Sequence, residues 1–143
     1  MSYLRRWSRL SSEDWKLFLT AFFLLAIIRS ALWVVPYALL GRIRGYHLRP
    51  RAVRSKHRVG RLEWAILAAS RRIPSASCLT QSVALHWLMA RCGFATNIRI
   101  GVAKDSKFNF RAHAWVEHEG RPLLNHPAQV AQYLRLLGSE KEA

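Results

Sequence analysis

The chain has 143 residues, 51% of them hydrophobic, so it can form one domain with one core and is too apolar for a disordered chain. It carries 23 Lys and Arg against 8 Asp and Glu, a formal net charge of +15. This charge favours an anionic partner: nucleic acid, a membrane surface or an acidic polypeptide. The basic residues lack the spacing of a zinc finger or an RNP motif, so we expect no nucleic-acid partner.

The N-terminal part begins with a helix start at Ser12, predicted as the N-cap because acidic residues follow it in the first turn. Residues 17–40 are then almost entirely apolar, with Arg29 near the middle and Pro36 near the end. The length allows a membrane span, but Arg29 at its centre would cost about 2.5–3.5 kcal/mol. We therefore favour a helical hairpin that is buried or apposed to a membrane over a span.

A basic segment follows, and it separates the N-terminal region from the rest of the chain. Between Gly41 and Glu63 it has no acidic residue but contains Arg42, Arg44, Arg49, Arg51, Arg54, Lys56, Arg58 and Arg61. It is either a solvated linker or a docking surface for an acidic peptide or lipid headgroups. We divide the chain into an apolar helical region with a basic linker at 1–60, a core at 61–137 and a charged tail at 138–143.

The core alternates helical and strand patterns and predicts an α+β fold with one helix packed on a small antiparallel sheet. Ser77 is the expected N-cap of the principal helix. Glu119-Gly120 is a hairpin turn signal between the last two strands. The predicted elements are helices at 62–70 and 78–91, strands at 96–103, 110–118 and 121–125, and a closing helix at 127–137.

The two cysteines, Cys78 and Cys92, are expected to be free thiols. About 14 residues apart on one helix, they would be separated by ~21 Å, and a disulfide needs their Cα atoms within ~7 Å. Free thiols suit a reducing compartment, and the sequence shows no secretory signal pattern. We therefore expect a cytoplasmic protein, with a peripheral membrane contact left open.

Three residues of the core suggest chemistry. Cys78 is placed at the first turn of a helix, where the dipole favours a thiolate and free N–H groups can hold an oxyanion. His113 lies on a strand, with Trp115 on the same face. Asn125 follows the hairpin turn, where it can lie beside His113 and accept from its ring N–H. The order predicts a nucleophile, a base and a residue that orients the base. Cys92, at the far end of the helix, is predicted to be structural.

These residues also carry a resemblance to a known family. The sequence resembles the lasso-peptide B proteins, leader peptidases of transglutaminase-like (papain-like) fold. The resemblance rests on Cys78-Leu79-Thr80-Gln81, on Ile98 to Val102, and on Ala112-His113-Ala114-Trp115-Val116-Glu117 with Gly120. It implies a Cys-His-Asn/Asp cysteine protease that removes the leader from a ribosomally made lasso precursor, with no cofactor and no metal.

The resemblance has one departure and one implication for partners. The family usually has aspartate where Asn125 stands; an amide still orients an imidazole but stabilises its charged form less. Residues 1–60 lack the strand pattern of a leader-recognition domain. The resemblance therefore implies the split form, with the lasso precursor peptide, a separate leader-recognition protein and a lasso cyclase as partners.

Three alternatives stay open to different degrees. A transglutaminase-like acyl transferase would use the same three residues with an amine in place of water. A basic membrane- or nucleic-acid-associated protein without catalysis would explain the charge, but not the pattern of Cys78 and His113. A zinc site built from Cys78, Cys92, His113 and His118 is disfavoured because no two of them have the close spacing of a ligand pair.

Overall fold

The computed structural model describes residues 10–34, 58–104, 107 and 109–137, and within them it has the predicted α+β class. Three helices form one layer, and a four-stranded antiparallel sheet forms the other. In chain order the elements are α1 (Ser12–Val34), α2 (Val59–Ser70), α3 (Cys78–Arg91), β1 (Asn97–Lys104), β2 (Phe110–His118), β3 (Arg121–Leu123), α4 (Pro127–Ala131) and β4 (Leu134–Leu137).

Helix α1 begins with a reciprocal cap between Ser11 and Asp14. The Asp14 amide donates to the Ser11 hydroxyl at 3.2 Å, and the Ser11 amide and hydroxyl both donate to the Asp14 carboxylate, at 3.2 and 2.9 Å. Ser11 is therefore the cap, and the prediction of Ser12 was wrong by one residue. The reason is spacing: a capping side chain and its acidic partner lie three residues apart, which Ser11 and Asp14 satisfy.

Helix α1 continues without a break to Val34, so Arg29 does not interrupt it as the predicted hairpin required. The rest of the predicted hairpin, residues 35–40 with Pro36, lies outside the described residues, as do residues 41–57 of the basic segment. By length and composition α1 could cross a membrane, a test that core helices of soluble proteins and signal sequences also pass.

One face of α1 belongs to the same hydrophobic core as the rest of the protein. It packs against α2 and α3, and α3 packs in turn on β2. The largest side chains shielded from solvent in this cluster are Leu25, Leu62, Ile66, Leu85, Met89 and Val116. Helix α3 has the predicted bounds, whereas α2 begins three residues before the predicted start.

The strand order is β3-β2-β1-β4, with every pair antiparallel. Strand β2 has the predicted bounds, and its register with β1 places His113 opposite Gly101. The second half of β2 is buried on both faces: Ala114 and Val116 lie on one side, Trp115 and Glu117 on the other. The central strand is thus enclosed on both sides.

The prediction of a closing helix over residues 127–137 was wrong for its second half. Only Pro127–Ala131 is helical, and residues 134–137 form β4, which pairs with β1. Residues 134–137 form a strand despite their helix propensity because they pair with β1. This pairing satisfies backbone N–H and C=O groups of β1 that would otherwise lie at a sheet edge. The strand predicted to run to Asn125 ends at Leu123, because Leu124 adopts a left-handed backbone with φ 67°.

We expect the cap of α1 to make folding stability depend on pH. The hydrogen bond from the Ser11 hydroxyl, followed by the Ser11 amide and Arg61, holds the pKa of Asp14 below its usual value despite partial desolvation. A lowered pKa means that this stabilisation is present at neutral pH and is lost as pH falls through the folded-state value. Asp14→Ala should lower the denaturation midpoint at pH 7, and its difference from wild type should shrink in acid. Glu13→Ala, exposed in the same turn, is the control; an equal effect of both changes would contradict the role of the cap.

Candidate active site

Cys78 is the first residue of α3, and side-chain hydrogen bonds hold the turn that precedes it. The Thr80 amide donates to the Ser77 hydroxyl at 3.2 Å, which confirms Ser77 as the cap. The Gln81 side-chain amide reaches back to the Ala76 carbonyl at 3.0 Å. The thiol is a half-buried free cysteine at the end of the helix where N–H groups lack partners within the helix. This position favours a negative charge on sulfur.

The second cysteine has a different environment. Cys92 is the C-cap of α3, is buried, and belongs to the hydrophobic cluster between the helices. The dipole at this end of a helix disfavours an anion, and the apolar surroundings exclude a charged reactant. The structure therefore gives Cys92 a packing position and Cys78 a position open to chemistry.

His113 and Asn125 meet directly. His113 Nε2 lies 3.0 Å from Asn125 Oδ1, and the Asn125 Nδ2 group lies 3.5 Å from the Leu123 carbonyl, which orients the amide. An amide oxygen can only accept, so this contact requires the proton on Nε2. Nδ1 then carries the lone pair and is the nitrogen that can act as a base.

The bend that presents Asn125 is fixed from the helical layer. Leu124 has a positive φ of 67°, an uncommon conformation for a branched residue. Its amide donates to the carboxylate of Glu63, on α2, at 2.8 Å. Because Leu124 immediately precedes Asn125, this bond sets the direction in which the Asn125 side chain leaves the chain.

Two aromatic rings hold the imidazole. Tyr133 stacks on His113 with ring centroids 5.1 Å apart at 30°, and Trp115 lies 6.3 Å away at 19°. Gly101 makes room for both rings: a Cβ built there would lie 2.9 Å from Tyr133 Cβ and 3.0 Å from the Trp115 ring. The absence of a side chain at Gly101 therefore allows the rings to close over His113.

The carboxylate of Glu117, on the same strand as His113, is engaged by two other side chains. It accepts from Trp115 Nε1 at 3.1 Å and from Arg99 Nε at 3.0 Å. These bonds satisfy the indole N–H of a fully buried ring and pair a buried carboxylate with a cation. Glu117 thus anchors Trp115, which in turn packs near His113.

Two of the three predicted site residues, His113 and Asn125, are in contact. The third, Cys78, lies on α3, which packs against β2. His113 and Asn125 share a hydrogen bond, and Cys78 begins the helix that packs on the strand of His113. Within the described residues no hydrogen bond joins Cys78 to His113. In free enzymes such contacts are often long and tighten when substrate binds. In the same part of the chain, no group of three or more His, Cys, Asp or Glu could hold a metal ion.

Glu63, Gly101 and Tyr133 support the site but were not predicted as site residues from the sequence. A glycine inside a strand pattern is a recognised sign of close approach, so Gly101 carried a usable signal. Tyr133 was assigned to the closing helix, and that error hid its contact with His113. Glu63 is 61 residues from its partner Leu124, and nothing local points to the bond.

A profile of the transglutaminase-like superfamily matches residues 23–138, a range that includes all three site residues and the C-terminal half of α1. The chain belongs to the transglutaminase-like superfamily. This superfamily has a fold of the cysteine-protease type, which supports a papain-like cysteine peptidase or an acyltransferase. Searches of curated proteins and of solved structures each found no significant match.

We expect Gly101→Ala to destabilise the protein by about 1–3 kcal/mol, because the added methyl group would meet Tyr133 and the buried Trp115 ring. Gly60→Ala is the matched control, since a Cβ there has nothing within 4 Å and glycine is a poor residue within a helix. Denaturant unfolding measures both changes. A Gly101→Ala protein as stable as Gly60→Ala would contradict the packing described.

Proposed function

We propose that this protein is a cysteine peptidase in which Cys78 is the nucleophile, His113 the base and Asn125 the residue that orients His113. The observation that carries the proposal is the 3.0 Å contact between His113 Nε2 and Asn125 Oδ1. This contact leaves Nδ1 free to accept a proton. Cys78, at the N-terminus of a helix packed on the same strand, is the nucleophile that this base would serve.

The reaction follows from the groups at the site. Nδ1 of His113 takes the proton of the Cys78 thiol, and the thiolate attacks the scissile carbonyl carbon. The N–H groups at the start of α3 stabilise the oxyanion that forms. The imidazolium then gives its proton to the leaving amine, and a thioester to Cys78 remains. Water, deprotonated by His113, hydrolyses the thioester and restores the thiol, so one peptide bond and one water give a carboxylic acid and an amine.

For the substrate, we propose the leader of a ribosomally made lasso-peptide precursor. The support is the resemblance of the segments around Cys78 and His113 to the lasso-peptide B proteins, together with membership of the matching superfamily. The proposed partners are the precursor peptide, a separate leader-recognition protein and a lasso cyclase. The proposed location is the cytoplasm, which suits two free thiols.

Acyl transfer is the second candidate, and superfamily membership favours it. The thioester on Cys78 would then react with an amine instead of water and give a new amide. The first half of the reaction is identical, so the same three residues serve both outcomes. Mass analysis of the product distinguishes them: hydrolysis adds the mass of water across the products, whereas transfer adds the amine and releases no new carboxylate.

The nucleophile is tested by comparing the two cysteines. Cys78→Ala should abolish leader removal from a precursor incubated with the recognition protein, because no thiolate remains to attack. Cys92→Ala, at the buried opposite end of the helix, should retain most of the activity. An alkylating probe should label Cys78 faster than Cys92 at neutral pH, since exposure and the helix terminus both favour its thiolate. An active Cys78→Ala protein, or equal labelling of both thiols, would overturn the assignment.

The orienting residue is tested with two changes at Asn125. Asn125→Ala removes one hydrogen bond to His113, worth about 0.5–1.5 kcal/mol, and should lower kcat by about two- to tenfold. His113→Ala should cost far more, on the order of 10²–10⁴ or greater. Asn125→Asp should keep or raise activity and extend the rate profile to lower pH, because a carboxylate favours the thiolate–imidazolium pair. Wild-type kinetics for Asn125→Ala would place the third residue elsewhere.

A further inference from the structure

Helix α1 has an apolar face whose large side chains are substantially exposed to solvent. Trp15, Leu19, Phe23 and Ile27 recur every fourth residue, which places them along one side of a helix over about 18 Å. They are 42%, 44%, 59% and 66% exposed. We call these four residues the α1 stripe. Large apolar side chains aligned in this way mark an interaction surface more often than scattered ones do.

The opposite side of α1 is buried in the hydrophobic core. Leu17, Phe18, Ala21 and Leu25 are buried against α2 and α3. The guanidinium of Arg72 also lies over the Phe18 ring, 5.3 Å from its centroid. Lipid all around α1 would require these contacts to break. The helix can therefore present one face to a partner, but it cannot be surrounded by lipid while the fold is intact.

Beyond the acidic first turn of α1, the charged residues as far as Glu63 in the sequence are all basic. No Asp or Glu occurs between Asp14 and Glu63. The same interval contains Lys16 and Arg29 on α1, and Arg58 and Arg61 at the start of α2. It also contains, in sequence, Arg42, Arg44, Arg49, Arg51, Arg54 and Lys56. Lys16 and Arg58 are exposed, so both ends of this interval offer positive charge to an anionic surface.

Two tryptophans stand at the two ends of the helix. Trp15 lies in the first turn and Trp33, 81% exposed, in the last. Tryptophan is enriched at the boundary between lipid and water, where its ring is apolar and its N–H stays wet. A helix that lies flat in that boundary places both ends at one depth, whereas a spanning helix puts them at opposite surfaces.

A second copy of the chain suits this surface less well. Two molecules that met through α1 would bring two net charges of +15 together, and repulsion would oppose the contact. An anionic lipid surface reverses that effect, because the same charges are attracted to it. The positive net charge therefore favours an anionic membrane over a second copy of the chain as the partner of the stripe.

We propose that the α1 stripe is a docking surface for a membrane containing anionic lipids, on which α1 lies in the plane of the interface. The apolar side chains enter the headgroup boundary, and the basic residues contact lipid phosphates. This surface is separate from the residues of the candidate active site. The inference stands whether or not the protein is a peptidase.

Vesicle flotation with the full chain tests the proposal. Wild-type protein should float with vesicles that contain phosphatidylglycerol, bind far less to pure phosphatidylcholine, and dissociate as salt is raised. The triple change Leu19→Ser, Phe23→Ser and Ile27→Ser should lower the partition coefficient at least about tenfold. The matched control is Phe110→Ser with Leu134→Ser, two exposed apolar residues of the sheet, and it should bind within about twofold of wild type.

Each remaining outcome overturns the proposal. Equal binding by the stripe variant and wild type, with both folded by circular dichroism, removes the stripe from the contact. Equal binding to both kinds of vesicle removes the role of anionic lipid. A wild-type protein that carbonate does not extract from cell membranes spans them. If wild-type protein forms a dimer, binds no vesicles and becomes monomeric in the stripe variant, the partner of the stripe is a second copy of the chain. If wild-type protein is a monomer and binds no vesicles, the stripe has no lipid partner.

Discussion

The hydrogen bond from the Leu124 amide to the Glu63 carboxylate joins the helical layer to the bend that carries Asn125. A left-handed backbone costs a residue such as Leu124 roughly 1–2 kcal/mol. A hydrogen bond to a charged group contributes about 1.5–3 kcal/mol, enough to offset that cost. Without the bond, an ordinary backbone conformation at Leu124 would be favoured, and the bend that brings Asn125 to His113 would lose this support. The contact that selects the tautomer of His113 therefore depends on a residue of α2.

The sheet supplies the other half of the support for His113. Register places Gly101 opposite it, and the missing side chain at Gly101 admits both Trp115 and Tyr133. Trp115 is in turn held by Glu117. The imidazole is thus oriented by one hydrogen bond and by ring contacts that come from different parts of the chain. Tyr133 can contribute only because the chain turns after α4 and runs back along β1 as β4.

What the sequence predicted correctly was encoded locally. Helix α3 begins at Ser77 and Cys78 because the cap and the apolar period lie within one segment, and β2 is bounded by polar residues and a turn at Gly120. The turn at Gly120 brings Asn125 near His113, but register alone would place it opposite Ala114, and the bend at Leu124 directs its side chain to His113. What the sequence did not predict depends on distant pairing. The pairing with β1 overrides the helix propensity of residues 134–137, and the bond between Glu63 and Leu124 spans 61 residues.

The structure of α1 explains why its hydrophobic pattern did not distinguish a membrane span from a helical hairpin. It is apolar on nearly every side, so periodicity could not separate a span from a hairpin. In the fold the two sides have different roles: Leu25 and its neighbours complete the core, and the stripe around Phe23 faces outward. Because α1 packs on α3, and α3 begins at Cys78, a membrane bound to the stripe would also set the orientation of the candidate active site. A peptide reaching that site would then approach along the membrane surface, where its local concentration is raised if it also binds anionic lipid.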